Sequence, residues 1–250
     1  MFNPMQLSEK HIIITGASSG IGRAACIQAS RLGARVSLVA RNEERLKETL
    51  SLMEGTGHSY YLYDLNDVEG IEALVREIVK GDGPLDGLAH CAGIAGIRPV
   101  KLMTPSFVLQ IMQIHFFAFA ELMRVASMKD RTNNGASYVG VSSTAAIRSM
   151  KAQGAYTAAK GAMNAIVHPY AKELAVKGIR VNTVAFGMVD TEMYRRDFLN
   201  AGGDNDAMLR EQYLGVISTE CAGNIICFLL GEVSKYLTGG TLVYDGGFLS

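Results

Sequence analysis

The chain reads as short β-branched runs alternating with longer stretches of helical periodicity. His11–Thr15 carries three consecutive isoleucines and ends in a glycine-rich turn, as a strand buried on both faces does. Arg35–Ala40 follows, then residues 59–63, 85–89, 136–141, 180–185 and Thr241–Tyr244, which completes a set of about seven candidate strands. Helical periodicity covers residues 20–32, a charged stretch from Asn42 onward, 67–80, 104–128, 153–177 and Thr219–Leu230. Asp67 is placed to cap the third of these helices, and Gly33 and Gly178 stand where a left-handed residue ends one. Alternation at this spacing specifies βαβ units, a parallel sheet and right-handed crossovers. The fold class is therefore α/β, a doubly wound parallel sheet in a single domain over residues 1–250. Residues 187–215 break the rhythm with many charges and a Gly202-Gly203 pair. An insertion of that length inside a compact domain predicts a lid over a substrate site.

Composition narrows the function. Lys+Arg and Asp+Glu both number 24, so the chain lacks the basic field that nucleic acid or an anionic membrane attracts. Apolar residues make up 48%, enough for a large core. Cys26, Cys91, Cys221 and Cys227 form no Cys-x-x-Cys pair, which predicts buried reduced thiols and neither a disulfide framework nor a metal site. The N-terminus lacks the basic flank and apolar run of a signal peptide. The most apolar region, 107–123, is broken by Gln110, Gln113, His115 and Glu121 and reads as a buried amphipathic helix. A cytoplasmic protein with no membrane or nucleic-acid partner is the expectation. Glycine is the outlier at 27 residues.

Part of that excess lies in Thr15-Gly16-Ala17-Ser18-Ser19-Gly20-Ile21-Gly22, between the first strand and the first helix. A pyrophosphate needs backbone N–H groups and a helix N-terminus aimed at it, with no Cβ in the way, and this turn offers both. The spacing Gly-x3-Gly-x-Gly resembles that of the short-chain dehydrogenase/reductase family. Two further marks match in order: Tyr156-Thr-Ala-Ala-Lys160 fits the family's Tyr-x3-Lys pair, and Ser143 stands thirteen residues before the tyrosine. The resemblance runs from Thr15 to Gly247 and implies a Rossmann-type fold. It also implies hydride transfer between a nicotinamide cofactor and a carbonyl–alcohol pair.

The chemistry is consistent residue by residue. A tyrosine with an ordinary pKa of about 10 needs its phenolate stabilised. Lys160, four residues on along the same helix face, is expected to lower it. Ser143 can donate to a carbonyl oxygen as charge develops there. The resemblance gives Tyr156 the proton transfer and Lys160 the nicotinamide ribose as well. It places Gly16, Ser18, Ser19, Gly20, Ile21 and Gly22 on the pyrophosphate. Asp64 and Leu65 fall at the adenine, and Val189 and Thr191 at the carboxamide. At the end of the second strand, where NAD binders carry an acid, the chain has Arg41. An arginine there pairs with a 2′-phosphate and favours NADP(H) over NAD(H).

Two positions depart from the family pattern. The usual Asn-Asn-Ala-Gly is His90-Cys91-Ala92-Gly93, which keeps a cofactor-facing backbone at Cys91, Ala92 and Gly93 but loses both asparagines. The family's fourth catalytic residue, an asparagine, aligns with His115, which either replaces it in the proton relay or packs as a helix residue. The reading is an NADP(H)-dependent ketone or aldehyde reductase, resembling 3-oxoacyl-(acyl-carrier-protein) reductases, acting on a small molecule. A homotetramer or homodimer is expected through the helices over 104–128 and 153–177. Two alternatives remain: a dinucleotide-binding sensor or scaffold with weak catalysis, and a sugar-nucleotide-modifying enzyme of the extended branch.

Overall fold

The computed structural model describes residues 3–196 and 210–250. Seven strands form one parallel sheet: β1 His11–Thr15, β2 Arg35–Ala40, β3 Ser59–Leu62, β4 Leu85–His90, β5 Thr132–Ser143, β6 Arg180–Phe186 and β7 Thr241–Tyr244. Their spatial order is β3-β2-β1-β4-β5-β6-β7. The order reverses between β1 and β4, so the loops leaving their carboxyl ends diverge and open a crevice there.

Helices cover both faces. On one side lie α1 (Gly20–Arg31), α2 (Glu43–Ser51) and, from the far end of the chain, α8 (Thr219–Leu230), sealing a core with Ile12, Ile14, Val36, Leu38, Leu46 and Ile226. On the other lie α3 (Ile71–Asp82), α4 (Pro105–Met112), α5 (Ala118–Ala126) and α6 (Gly154–Leu174), over Ile13, Leu88, Phe119, Tyr138 and Val181. A single turn, α7 (Glu192–Tyr194), follows β6.

Three details differ from the sequence expectation. The helix predicted over 104–128 is two helices joined by a π turn, Gln113–Phe117, in which the Ala118 N–H reaches back five residues to the Gln113 carbonyl. By length and composition Pro105–Ala126 would suffice to cross a membrane, but Ile111, Ile114, Phe119, Leu122 and Met123 bury its inner face against the sheet. Asp67 caps a turn rather than the helix itself: its carboxylate accepts from the Gly70 N–H at 3.1 Å, and α3 starts at Ile71. Of the cysteines, Cys26 and Cys227 are buried and Cys221 is exposed. Gly33 and Gly178 do take positive φ, at +88° and +66°. The middle of the segment expected to be a lid, 197–209, lies outside the described residues.

Candidate active site

The crevice at the β1/β4 switch point is a cleft of about 710 Å³. The turn after β1 forms its floor, with Gly16, Ser18, Ser19, Gly20, Ile21 and Gly22 along it. Gly16 is held at φ +67°, and a Cβ there would stand 2.8 Å from the Ala92 backbone nitrogen. A Cβ on Gly22 would stand 2.2 Å from the Gly16 carbonyl oxygen. These two glycines therefore let the turn pack on itself and on the loop after β4, and that packing leaves the α1 N-terminus facing the cleft. Arg41 lies at the β2 end and ion-pairs with Asp64 at 3.6 Å. Leu65, Cys91, Ala92, Gly93 and Thr191 complete the predicted lining, whereas Val189 faces the neighbouring recess. Burial pushes the Cys91 thiol up to about 12, so it is a neutral wall group.

The cleft and that recess meet at Ser143, Tyr156 and Lys160. Ser143 ends β5, where its Oγ accepts the Ala145 N–H at 3.1 Å and keeps its own proton to donate. Tyr156 and Lys160 project from the first turns of α6, and the Lys160 Nζ stands 5.5 Å from the Tyr156 ring centre. Burial pushes the Tyr156 hydroxyl up to about 12, opposed by its hydrogen bond with Ser143. The expected lowering by Lys160 is not what this arrangement gives. Lys160 is buried, donates to the Val141 carbonyl at 2.6 Å, and is itself brought down to about 7 by desolvation. Tyr156 is thus held neutral, beside an amine poised near neutrality.

Residues 16–249 match the sequence model of a family described as enoyl-(acyl carrier protein) reductase. L-xylulose reductase of Caenorhabditis elegans is 31% identical over 246 residues, covering 96% of this chain and 96% of that protein. The chain belongs to the short-chain dehydrogenase/reductase family. The 3-oxoacyl-[acyl-carrier-protein] reductase of Mus musculus is 31% identical over 247 residues, covering 96% and 98%. A mutant short-chain dehydrogenase/reductase of Serratia marcescens superposes with a TM-score of 0.91 at 25% identity, over 99% of this chain and 100% of that one. This short-chain dehydrogenase/reductase is accordingly an oxidoreductase acting on CH–OH groups with a nicotinamide cofactor.

Its two histidine departures turn out to be joined. His90, at the end of β4, reaches the Ile114 carbonyl through Nε2 at 3.0 Å; His115, next to Ile114, reaches the Ile94 carbonyl through Nε2 at 2.9 Å. The His90 ring thus ties down the backbone beside His115, and the His115 ring ties down the loop that follows His90. The π turn makes this possible, because the Ala118 N–H has shifted to Gln113 and leaves the Ile114 carbonyl to His90. With Nε2 donating, the His90 Nδ1 accepts from the Thr15 hydroxyl at 3.0 Å, and Thr15 Oγ1 accepts the Ala92 N–H at 3.2 Å. Burial brings His90 down to about 3, and it holds His115 well below its ordinary value, with Lys160 acting in the same direction on both. Both rings are neutral. Nδ1 of His115 is buried without a partner, and its ring stands edge-on to Tyr156 with centres 5.2 Å apart.

Some lining residues had no motif to announce them. Asn42 and Arg45 flank Arg41 in the cleft, and Arg45 bridges to Glu192 of α7 at 2.5 Å. Arg195 is held bidentately by Asp190 at 2.7 Å. The recess beside Ser143 draws on Met150, Gln153, Met188, Met193 and, from the chain end, Phe248. Their only common property is where the fold brings them.

Proposed function

We propose that this protein is an NADP(H)-dependent reductase that interconverts a ketone or aldehyde with its alcohol, 3-oxoacyl thioesters being one substrate class within reach. The observation that carries the reading is the convergence of Ser143, Tyr156 and Lys160 where the dinucleotide cleft opens into an apolar recess. The cleft fits the cofactor: Gly16, Gly20 and Gly22 line its floor where the α1 N-terminus faces it, and Nδ1 of His115, which also lines it, is buried without a protein partner. A bound nicotinamide supplies or takes the hydride. Ser143 donates to the carbonyl oxygen as negative charge grows there, and Tyr156, neutral at pH 7, delivers the proton. Lys160, whose amine is brought down to about 7, lies behind Tyr156 to restore that proton, and the open Nδ1 of His115 can accept a hydrogen bond from the relay that feeds it.

Arg41 supports the phosphate preference. No carboxylate precedes Glu43 at the end of β2, and Arg41 and Arg45 both line the cleft at that end. Gly187, Met188, Val189, Thr191, Met193 and Tyr194, from the described beginning of the proposed substrate-lid segment 187–215, wall the recess. Exposed Leu109 and Phe117 on the α4–π turn run support self-association through this helix. We place the protein in the cytoplasm, in keeping with four cysteines that form no Cys-x-x-Cys pair or disulfide framework. The reading is tested by following oxidation of NADPH and NADH with ketones and 3-oxoacyl thioesters. Preference for NADPH with turnover of a carbonyl supports it, and turnover with NADH alone overturns the Arg41 argument.

A further inference from the structure

The recess beside Ser143 and Tyr156 has a volume of about 160 Å³. That is close to the size of an engineered protein cavity, about 150 Å³ and lined by Leu, Ile and Phe, that takes up one benzene molecule. Its described walls are largely apolar: Ile97 from the loop after β4, Met150 ahead of α6, Phe186 and Met188 at the end of β6, Met193 from α7 and Phe248 near the last described residue. Thr144, Arg148, Gln153, Thr191 and Tyr194 add polar atoms to this lining, and several of these are engaged within the protein. The Gln153 side-chain oxygen accepts the Met150 N–H at 3.1 Å. The Arg148 guanidinium pairs with Glu211 at 2.7 Å and donates to the Phe248 carbonyl at 3.2 Å. Its charge is thereby neutralised at the rim and pins Phe248 in place as a wall.

Resting on the reading above, we propose that the substrate is a ketone whose buried arm is compact, uncharged and free of hydroxyl groups, about one six-membered ring or a short alkyl chain in size. Ser143 and Tyr156 then both address the carbonyl oxygen, and the arm lies against the apolar walls. A polyhydroxylated ketose would bring hydroxyls against methionine and phenylalanine and leave them without partners. A carboxylate would have to displace Glu211 from Arg148. A fused polycyclic ketone exceeds the volume. Simple ketones and short 3-oxoacyl thioesters share the favoured chemistry.

The test uses the whole protein with NADPH. Steady-state kcat/KM is measured for acetophenone, acetoacetyl thioester and erythrulose, and binding of 1-phenylethanol and of erythritol to the NADP-loaded protein is followed by saturation-transfer NMR. The expected result is a kcat/KM at least tenfold higher for one of the first two than for erythrulose, with 1-phenylethanol binding and erythritol not. Whichever of the first two is turned over faster identifies the source of the arm. Met188→Gln, which keeps size and adds an amide, should narrow the ratio and weaken 1-phenylethanol binding. Erythrulose reduced as well as the others, or erythritol bound as tightly as 1-phenylethanol, overturns the inference and leaves the reductase reading standing. Failure of every carbonyl to turn over counts against the reductase reading, and the binding experiment still decides the nature of the recess.

Discussion

Acid should unfold this protein through its paired histidines, and the His90→Asn substitution isolates one of them. His90 is fully enclosed, with its ring stacked on Phe119 and both nitrogens used in the neutral form. Protonation would place a proton on Nδ1 against the Thr15 hydroxyl and a charge in the core near Lys160. The folded protein therefore resists it until about pH 3, while the unfolded chain takes the proton near 6.5. Between these values the unfolded state binds more protons, so stability rises with pH. The contribution is fully present above pH 6.5 and is lost progressively as pH falls towards 3. At pH 4.5 the loss from this one group is about 3 kcal/mol, a large share of the ordinary 5–15 kcal/mol of a domain. Urea denaturation at pH 7.5 and 4.5 measures it. Asparagine does not titrate, so the variant should lose about 3 kcal/mol less than the parent between the two pH values, whatever its stability at pH 7.5. An acid-induced loss equal to that of the parent would refute the buried, neutral clasp.

The remaining predictions concern the cofactor and the proton path. Arg41→Ala should raise the NADPH Kd about 10- to 100-fold, as loss of a charge-assisted contact does, and leave the NADH Kd within about threefold; fluorescence titration reads both. His115→Phe keeps a ring against Tyr156 but removes its nitrogens, so kcat should fall about tenfold or more at unchanged NADPH affinity; a lower Tm with kcat intact would assign His115 to packing alone. Gly16→Ala meets both a left-handed φ and the Ala92 backbone, and should cost about 1–3 kcal/mol in urea denaturation together with cofactor affinity. A variant as stable as the parent would show that the turn and the β4 loop do not pack as closely as described.

The strands and the helical crossovers were legible because burial on both faces demands β-branched runs such as His11–Thr15, and the crossovers follow from their spacing. Ser143, Tyr156 and Lys160 were legible because their roles fix residue type and spacing within one strand–helix unit. The π turn was not, since Gln113–Phe117 is apolar at helical spacing whether the backbone bonds four or five residues back. The link between His90 and His115 depends on two segments meeting in space, so each departure looked isolated in sequence. The direction of the Lys160 amine was also hidden. Position i+4 places it on Tyr156's face of the helix, but the Val141 carbonyl takes the proton donor, and burial rather than the lysine sets the tyrosine. Gly16 and Gly22 were read as space for phosphate, whereas the nearest obstacles are the protein's own backbone.

The central claim is that Tyr156 delivers the proton in a carbonyl–alcohol hydride exchange, and single-turnover oxidation of bound NADPH tests it most directly. With a reducible ketone in excess, Tyr156→Phe should slow the transient by about 100-fold or more, the usual contribution of a positioned acid, with the NADPH Kd unchanged. A Tyr156→Phe protein that oxidises NADPH as fast as the parent would contradict the account.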